Sequence, residues 1–339
     1  MNFRKYLFCF VTLLISIHHQ IKAQVIEGQF SYFGFLDNRE YARSGRTSQT
    51  ILGNRISPEL GLKIDSSSRI RVGFNALYEF GSKKNKFFDR IQPVIYYQYQ
   101  HKSTNFYMGS FPRVGLLDNY PRALLADTLN YYRPNIEGLL TKFETANLRE
   151  TIWLDWTGRQ TNTDRETFLF GFSGKYKLKP FFISHYAYMF HNAKAAVSFP
   201  GDYVEDNGAV LAELGLDLSH KGILDSLTLS VGGMMSIERN RLLSSSFNMP
   251  KGFISNVYLG YKKFSLQNTF YTGEGHQIIN GDQFYTSKNY DRIDLGWTAL
   301  KAKNLEGKFI FTYHFVDGVT DNQQAFLLRY NLFGNKKLK

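Results

Sequence analysis

The stretch Lys308-Phe-Ile-Phe-Thr-Tyr-His-Phe-Val316 alternates between two kinds of side chain. Successive side chains of a β-strand point to opposite faces, so a repeat of two residues marks a strand whose faces meet different surroundings. One face here is wholly aromatic, and we predict that it contacts lipid, while Lys308, Thr312 and His314 face an aqueous lumen. The four members of the aromatic face are Phe309, Phe311, Tyr313 and Phe315.

The same alternation recurs along the chain. Segments 69–80, 90–99, 210–219 and 292–299 each place apolar residues opposite charged, polar or small ones. A secreted β-sandwich also alternates, with its apolar face packed in a core, so the pattern alone leaves two folds open. A transmembrane β-barrel is the other fold.

The lengths of the connections favour the barrel. Short links are predicted near 65–68, 101–104, 146–149, 176–179, 221–226 and 262–264. The longer polar segments run near 37–55, 112–134, 192–207, 237–250 and 272–289. Short turns at one end and long loops at the other are typical of outer-membrane barrels, whose short turns face the periplasm. A sandwich has no reason to sort its loops in this way.

Composition agrees with a barrel. The 339 residues include 22 Tyr, 30 Phe and 28 Gly but only 8 Pro, and the mean hydropathy is −0.31. Hydropathy alone would indicate a soluble protein. A barrel, however, averages an apolar lipid face with a polar lumen face, so its mean hydropathy is unremarkable while its aromatic content is high.

The first residues are typical of a secretory signal peptide. Arg4 and Lys5 precede an apolar run from Tyr6 to Ile17, and cleavage is expected before Gln24. We therefore predict a signal peptide at 1–23 and one barrel domain at 24–339. Cys9, the sole cysteine, lies in the signal, which excludes disulfides, cysteine metal sites and thiol catalysis from the mature chain.

The fold class predicted from these patterns is all-β, an antiparallel transmembrane barrel of about 16 strands, within a range of 14–18. The export signal, the hairpin rhythm and the last strand, Ala325-Phe-Leu-Leu-Arg-Tyr-Asn-Leu-Phe333, resemble the porin-type barrels of Gram-negative outer membranes. Such barrels usually end at an aromatic residue, whereas here Phe333 is followed by residues 334–339. The resemblance implies a place in the cell outer membrane and, as partners, outer-membrane lipid and the barrel-assembly machinery. A homo-oligomer remains open.

The predicted solute-binding residues come from one long loop and from the lumen face. Segment 112–134 resembles, in position and length, the third outer loop of classical porins, which folds inward to narrow the pore. An alternative is a loop that packs on the wall with its charges merely solvated. The candidates in this segment are Arg113, Asp118, Tyr120, Arg122, Asp127, Tyr131, Tyr132 and Arg133, and the lumen-facing candidates are Arg69, Arg71, Arg90, Arg292 and Arg329.

Charge gives the predicted solute class. The formal net charge is +12, and inward arginines raise the local concentration of anions. Inward carboxylates, among them Glu213 and Asp294, oppose this effect. The sequence predicts passive diffusion of small hydrophilic solutes, anionic or polyol, and the alternative is a non-conducting barrel that acts as a surface binding or assembly partner. No nucleic-acid motif, cofactor or metal site is predicted.

One histidine segment bears on catalysis. Segment 273–281, Gly-Glu-Gly-His-Gln-Ile-Ile-Asn-Gly, resembles the histidine segment of outer-membrane phospholipases, in which a serine follows closely. Here Gln, Ile and Ile occupy positions 277 to 279, so His276 has no neighbouring nucleophile. The sequence therefore predicts no catalytic residue and no enzyme, and leaves a lipid hydrolase as the less favoured alternative.

Overall fold

The computed structural model describes residues 25–83, 86–117 and 120–337, so the predicted signal peptide lies outside the described residues. Sixteen antiparallel strands close into one barrel, in which each strand pairs with its neighbours in sequence. The strands are β1 (Val25–Glu40), β2 (Gln49–Lys63), β3 (Ser68–Glu79), β4 (Arg90–His101), β5 (Thr104–Pro112), β6 (Asn135–Glu144), β7 (Leu148–Gly158), β8 (Thr167–Leu178), β9 (Phe181–Asn192), β10 (Glu205–Asp217), β11 (Ser226–Asn240), β12 (Lys251–Tyr261), β13 (Phe264–Gly273), β14 (Asn289–Lys301), β15 (Leu305–Val316) and β16 (Val319–Lys337).

The first and last strands close the barrel. β1 pairs with β16 from Val25 opposite Lys337 to Glu40 opposite Asn322, so the ladder continues around the whole circumference. Closure leaves no unpaired strand edge. The predicted fold class and strand number are confirmed, and the sandwich is eliminated because there is one closed sheet.

Short and long connections alternate around the barrel. The turns at 64–67, 102–103, 145–147, 179–180, 218–225, 262–263 and 302–304 lie at one end, and the loops 41–48, 80–89, 113–134, 159–166, 193–204, 241–250 and 274–288 lie at the other. Loops 80–89 and 159–166 were not among the predicted long segments. The last hairpin also turns at the long-loop end, with Asp317 at φ 50 and Gly318 at φ 82, and positive φ at both turn residues suits a tight hairpin.

Strand β15, which contains Lys308 to Val316, has the predicted faces. Phe311, Tyr313 and Phe315 are 50%, 45% and 42% exposed, whereas Thr312 and His314 are 2% and 0% exposed. The same difference separates the two faces of most strands, and it turns a belt of apolar side chains toward the membrane. No helix in the described part of the chain is long and apolar enough to cross a membrane.

Tryptophans mark the two rims of the apolar belt. Trp156 lies near the outer end of β7 and stacks on Phe168, with ring centroids 5.3 Å apart. Trp297 lies near the inner end of β14 and stacks on Phe309 at 5.6 Å. Both indoles are more than a third exposed, as expected for side chains at a membrane interface.

Two loops fold into the lumen. The third outer loop, residues 113–134, contains helix α1 (Thr128–Tyr132), and the seventh outer loop, residues 274–288, contains a 3₁₀ turn at Gln283–Thr286. The loops join through backbone hydrogen bonds from Ala126 to Asn280 and from Asp282 to Arg122. The buried apolar cluster therefore lies inside the barrel, between these loops and the inner wall.

Candidate functional site

The base of the third outer loop is fixed by a buried ion pair. Arg113 is 3% exposed, and its guanidinium contacts the carboxylate of Asp155 on β7, which is 0% exposed. Arg113 Nε also donates to the carbonyl oxygen of Arg133 at 3.1 Å. Arg133 Nη2 lies 3.7 Å from the same Asp155 carboxylate. Both arginines therefore hold the two ends of the loop on the wall.

One side of the loop seals against the barrel wall. The Tyr120 hydroxyl accepts a hydrogen bond from Trp153 Nε1 at 2.8 Å and donates to the Ala187 carbonyl oxygen at 3.1 Å. The Tyr120 ring also packs edge-on against Tyr186, with centroids 5.7 Å apart. Leucines of the loop complete this apolar contact: Leu117, Leu124, Leu125 and Leu129.

Helix α1 is held against the opposite wall. The Tyr131 ring stacks on Phe35 of β1 with centroids 4.7 Å apart. Arg55 of β2 donates to the Asn130 carbonyl oxygen at 2.8 Å and also to the carbonyl oxygen of Tyr131. The Tyr132 hydroxyl donates to Glu79 Oε1 at 3.0 Å, and Arg90 donates to the Tyr132 carbonyl oxygen at 3.2 Å.

Between these contacts lies a group of charged side chains, which we call the constriction cluster: Arg122, Asp127, Asp282, Arg292 and Asp294. Arg122 Nε lies 2.7 Å from Asp127 Oδ2, and Arg122 Nη1 lies 3.3 Å from Asp294 Oδ2. Arg292 of β14 lies 2.9 Å from Asp294, 3.6 Å from Asp282 and 3.9 Å from Asp127. The two inward loops and the wall thus contribute charges to one place.

Two cavities adjoin at this cluster. An outer cavity of about 170 Å³ is lined by Arg39, Arg46 and Asp282, and an inner cavity of about 130 Å³ is lined by Tyr131, Thr312 and Arg329. Asp127, Arg292 and Gln323 line both cavities. We call the two cavities together the polar path; they lie beside the third outer loop, along the wall formed by β14, β15, β16 and β1.

The two loop carboxylates of the cluster differ in acidity. Burial alone raises the pKa of Asp127, but the guanidiniums of Arg122 and Arg292 outweigh it and lower that pKa below its ordinary value. Burial raises the pKa of Asp282 above its ordinary value, and Arg292 offsets only part of this effect. Asp282 therefore takes up a proton at a higher pH than Asp127.

The structure brings together only part of the predicted residue set. Arg122, Asp127, Tyr131, Arg292 and Arg329 line the polar path. Five other candidates fix the third outer loop to the wall: Arg113, Arg133, Tyr120, Tyr132 and Arg90. Arg69 and Arg71 lie beside Glu27 at the periplasmic end. Asp118 lies outside the described residues.

The residues of the path that the sequence analysis missed include Arg39, Arg46, Asp282 and Gln323. Arg39 and Gln323 lie on inward faces of β1 and β16, so strand alternation carried a signal for both. Asp282 precedes the 3₁₀ turn, and its carboxylate accepts a hydrogen bond from the Phe284 backbone amide at 3.1 Å. No sequence pattern places this loop residue in the lumen.

A second polar group lies under the seventh outer loop. His276 is 1% exposed, and its Nδ1 lies 2.7 Å from the hydroxyl oxygen of Ser236 on β11, which is 0% exposed. The Ser236 hydroxyl also lies 2.7 Å from Glu238 Oε1. His276 Nε2 is buried without a hydrogen-bond partner among the described residues, and burial lowers the pKa of the imidazole. A serine 40 positions away in the chain, rather than one close after the histidine, therefore contacts the ring.

Solved structures with the same architecture include outer-membrane proteins of Vibrio cholerae and Pseudomonas aeruginosa. A loop L8 deletion mutant of OmpT from Vibrio cholerae aligns with a TM-score of 0.58 at 9% identity, covering 92% of this chain and 100% of that one. The outer-membrane protein OpdK from Pseudomonas aeruginosa aligns with a TM-score of 0.53 at 8% identity, covering 91% and 99%. OccK11 from the same organism aligns at 0.51 with 10% identity, covering 91% and 96%. At these identities the likeness establishes the fold of an outer-membrane barrel, in agreement with the predicted localisation.

The sequence itself matches a family model. No curated protein matches the chain, but the model described as Lipid A 3'-O-deacylase-type matches residues 19–335. That description names an enzymatic activity, so the prediction from sequence that the protein is not an enzyme is wrong. The prediction depended on finding a nucleophile within a few residues of His276, and the fold brings side chains together across far longer separations. The chain belongs to the lipid A 3'-O-deacylase-type family.

Proposed function

We propose that the protein forms an outer-membrane channel for small hydrophilic solutes, with the constriction cluster at its narrowest point. One observation carries this proposal: the outer and inner cavities adjoin at Asp127, Arg292 and Gln323. Charges at the narrowest part of a pore act most strongly on permeation, because little water lies between them and the passing solute. On the other side of the lumen the third outer loop packs against β7 and β9, so the path is off-axis.

The linings of the two cavities support anionic or polyol solutes. Arginines outnumber carboxylates in both: Arg39, Arg46 and Arg292 face Asp127 and Asp282 in the outer cavity, and Arg122, Arg292 and Arg329 face Asp127 in the inner one. Guanidiniums bind carboxylate and phosphate groups in bidentate geometry. The Gln323 amide and the Thr312 hydroxyl in these linings are suited to sugar and polyol hydroxyls.

Single-channel conductance of the refolded protein in planar bilayers tests this function. We expect stepwise channel openings and, in a salt gradient, a reversal potential whose sign indicates anion selectivity. Asp127→Asn removes one carboxylate from the cluster and should move the reversal potential further in the same direction. Closed traces over many insertions would reject the channel and leave the barrel as a surface binding or assembly partner.

Family membership favours a second function, the hydrolysis of an acyl ester of a lipid A-type glycolipid. Ser236 and His276 offer a nucleophile and a base. The Ser236 hydroxyl donates to Glu238 Oε1, and once it turns to His276 Nδ1, 2.7 Å away, it can transfer its proton to the imidazole as it attacks an ester carbonyl. Glu238, which contacts Ser236, and Gln277, which follows His276, line an open cavity of about 420 Å³. The seventh outer loop covers both groups, so it must lift before an ester can reach Ser236.

Mass spectrometry of lipopolysaccharide incubated with the protein in mixed micelles tests the second function. Loss of one acyl chain is expected with the unaltered protein and not with Ser236→Ala or His276→Ala. Ser244→Ala is the matched control, because this exposed serine lines the same open cavity but contacts neither Ser236 nor His276. An unchanged lipid, or equal activity in Ser236→Ala, would exclude this site.

A further inference from the structure

We infer that the periplasmic mouth of the barrel contains a binding site for an anionic saccharide, separate from the constriction cluster. The site is a cavity of about 670 Å³, and ligand sites in proteins commonly fall between about 300 and 1,000 Å³. Its roof is the third outer loop at Leu116, Leu117 and Tyr120, and its lower rim includes the β6–β7 turn at 145–147. A ligand can therefore enter from the periplasm without crossing the constriction.

The charge of the lining selects anions. Glu144 is the one carboxylate among the described residues that line the cavity. Four cationic side chains line it as well: Lys142, Arg149, Lys175 and Lys177. Glu144 is already engaged, since Lys142 Nζ lies 2.8 Å and Arg149 Nη2 lies 2.7 Å from its oxygens. Two other carboxylates act on Lys175 from β10, and both are engaged. Glu213 accepts hydrogen bonds from Ser184, Ser230 and Asn256, and Asp217 accepts one from the Ser219 backbone amide at 3.1 Å.

Two lysines remain to bind an incoming anion. Lys175 Nζ lies 3.6 Å from the centre of the Phe182 ring, and within the described chain neither Lys175 nor Lys177 has a carboxylate at ion-pair distance. They are two residues apart on β8, so their side chains point to the same face of the strand. Two adjacent ammonium groups over an open cavity suit an acidic ligand with spaced negative groups.

The remaining lining favours a sugar over a bare ion. Tyr120, Tyr186 and Tyr258 bring aromatic rings to the cavity, and their faces can pack against the apolar C–H face of a pyranose ring. The side-chain amide of Gln267 supplies a donor and an acceptor for ring hydroxyls, whereas the amide of Asn256 already contacts Glu213 and Thr269. A simple inorganic anion would contact the lysines but not the tyrosine rings or the side-chain amide.

Titration calorimetry of the refolded full chain in detergent, without any membrane gradient, tests the site. The probes are digalacturonate, the neutral disaccharide lactose and inorganic phosphate. We expect saturable binding of digalacturonate, weaker binding of phosphate and no binding of lactose. Equal affinity for phosphate and digalacturonate would mean that the site binds anions without recognising the sugar. Lactose binding as tight as digalacturonate binding would mean that charge has no role. Either result overturns the proposal, and so does the absence of binding at millimolar digalacturonate.

Paired variants identify the residues. Lys175→Met with Lys177→Met should weaken digalacturonate binding by at least about tenfold, since it removes two charge-assisted contacts. Lys301→Met with Lys303→Met is the control, because these exposed lysines lie at another periplasmic turn outside the cavity, and it should leave the affinity unchanged. Heat-modifiable migration on gels verifies that both proteins fold. Because the measurement needs no ion flow, a protein that fails to conduct can still bind, so failure of the channel proposal and failure of this one are distinguishable.

Discussion

The third outer loop meets two opposite sides of the lumen and makes a different contact with each. Toward β7 and β9 it packs through Tyr120, with Trp153 and Ala187 as hydrogen-bond partners, and forms the roof of the periplasmic cavity. Toward β14 it presents Arg122 and Asp127, and two small cavities adjoin there. Aromatic side chains exclude water by close packing, whereas charged groups held a few ångströms apart leave solvated space. One loop thus seals half of the barrel and lines a path through the other half.

The largest expected loss of stability comes from a substitution at the base of the third outer loop, where Arg113 fixes the loop to the wall. Arg113→Met leaves the fully buried Asp155 carboxylate without its main partner, which should cost about 3–5 kcal/mol of stability. Urea unfolding of the refolded barrel measures the change. Arg122→Met is the matched control on the path side, and it should cost clearly less because the Arg122 side chain is 24% exposed. Equal losses in the two variants would remove the distinction between anchor and path.

A second, slightly smaller loss of stability is expected when a charge is placed on the lipid face rather than on the lumen face. Phe311 is half exposed near the middle of β15, so Phe311→Arg should cost roughly 2–4 kcal/mol and impair folding into lipid bilayers. Ile310→Arg is the control, because this neighbouring side chain faces the inner cavity. Folding yield into vesicles, assayed by heat-modifiable migration, separates them. If the two variants fold equally well, the assignment of faces in β15 fails.

A smaller effect concerns selectivity along the path. Arg122→Ser with Arg329→Ser removes two guanidiniums from the inner cavity and should lower the anion-to-cation permeability ratio roughly twofold, equivalent to about 0.4 kcal/mol. Reversal potentials in a salt gradient provide the measurement. Lys83→Ser with Lys86→Ser removes exposed charges from the second outer loop, where salt screens them, and should change the ratio much less. If the Lys83/Lys86 variant lowers the permeability ratio as much as the Arg122/Arg329 variant does, the result contradicts a charged constriction.

The smallest expected effect is a dependence of selectivity on pH. Burial raises the pKa of Asp282, whereas the arginines hold the pKa of Asp127 low, so acidification neutralises Asp282 first. Loss of that negative charge should raise the anion preference as pH falls through the raised pKa of Asp282, while Asp127 stays ionised. Asp282→Asn should show the higher anion preference already at neutral pH and abolish this step. Reversal potentials that follow the same pH curve in both proteins would assign the step to another group.

The barrel itself was predictable because its determinants are local. Each strand pairs with the strand before and after it in sequence, so the two-residue alternation of Phe311 and Thr312 and the parity of loop lengths specify the faces, the order and the closure. The inward course of the third outer loop followed from its position and length by resemblance. The arginines of that loop were expected to act as one group, and only the fold separates Arg113 at the wall from Arg122 at the path.

What the sequence determined by itself was therefore the closed barrel, its lipid face and the placement of five of its outer loops. The tertiary structure alone decided which polar groups meet, because Arg122 of the third outer loop reaches Asp294 on β14, and His276 of the seventh outer loop reaches Ser236 on β11, between segments with no shared periodicity. Strand alternation encodes the side of a sheet but not the partner on the far wall. Contacts across a barrel depend on the path of whole loops, and that path is set by many weak packing interactions which no short motif records.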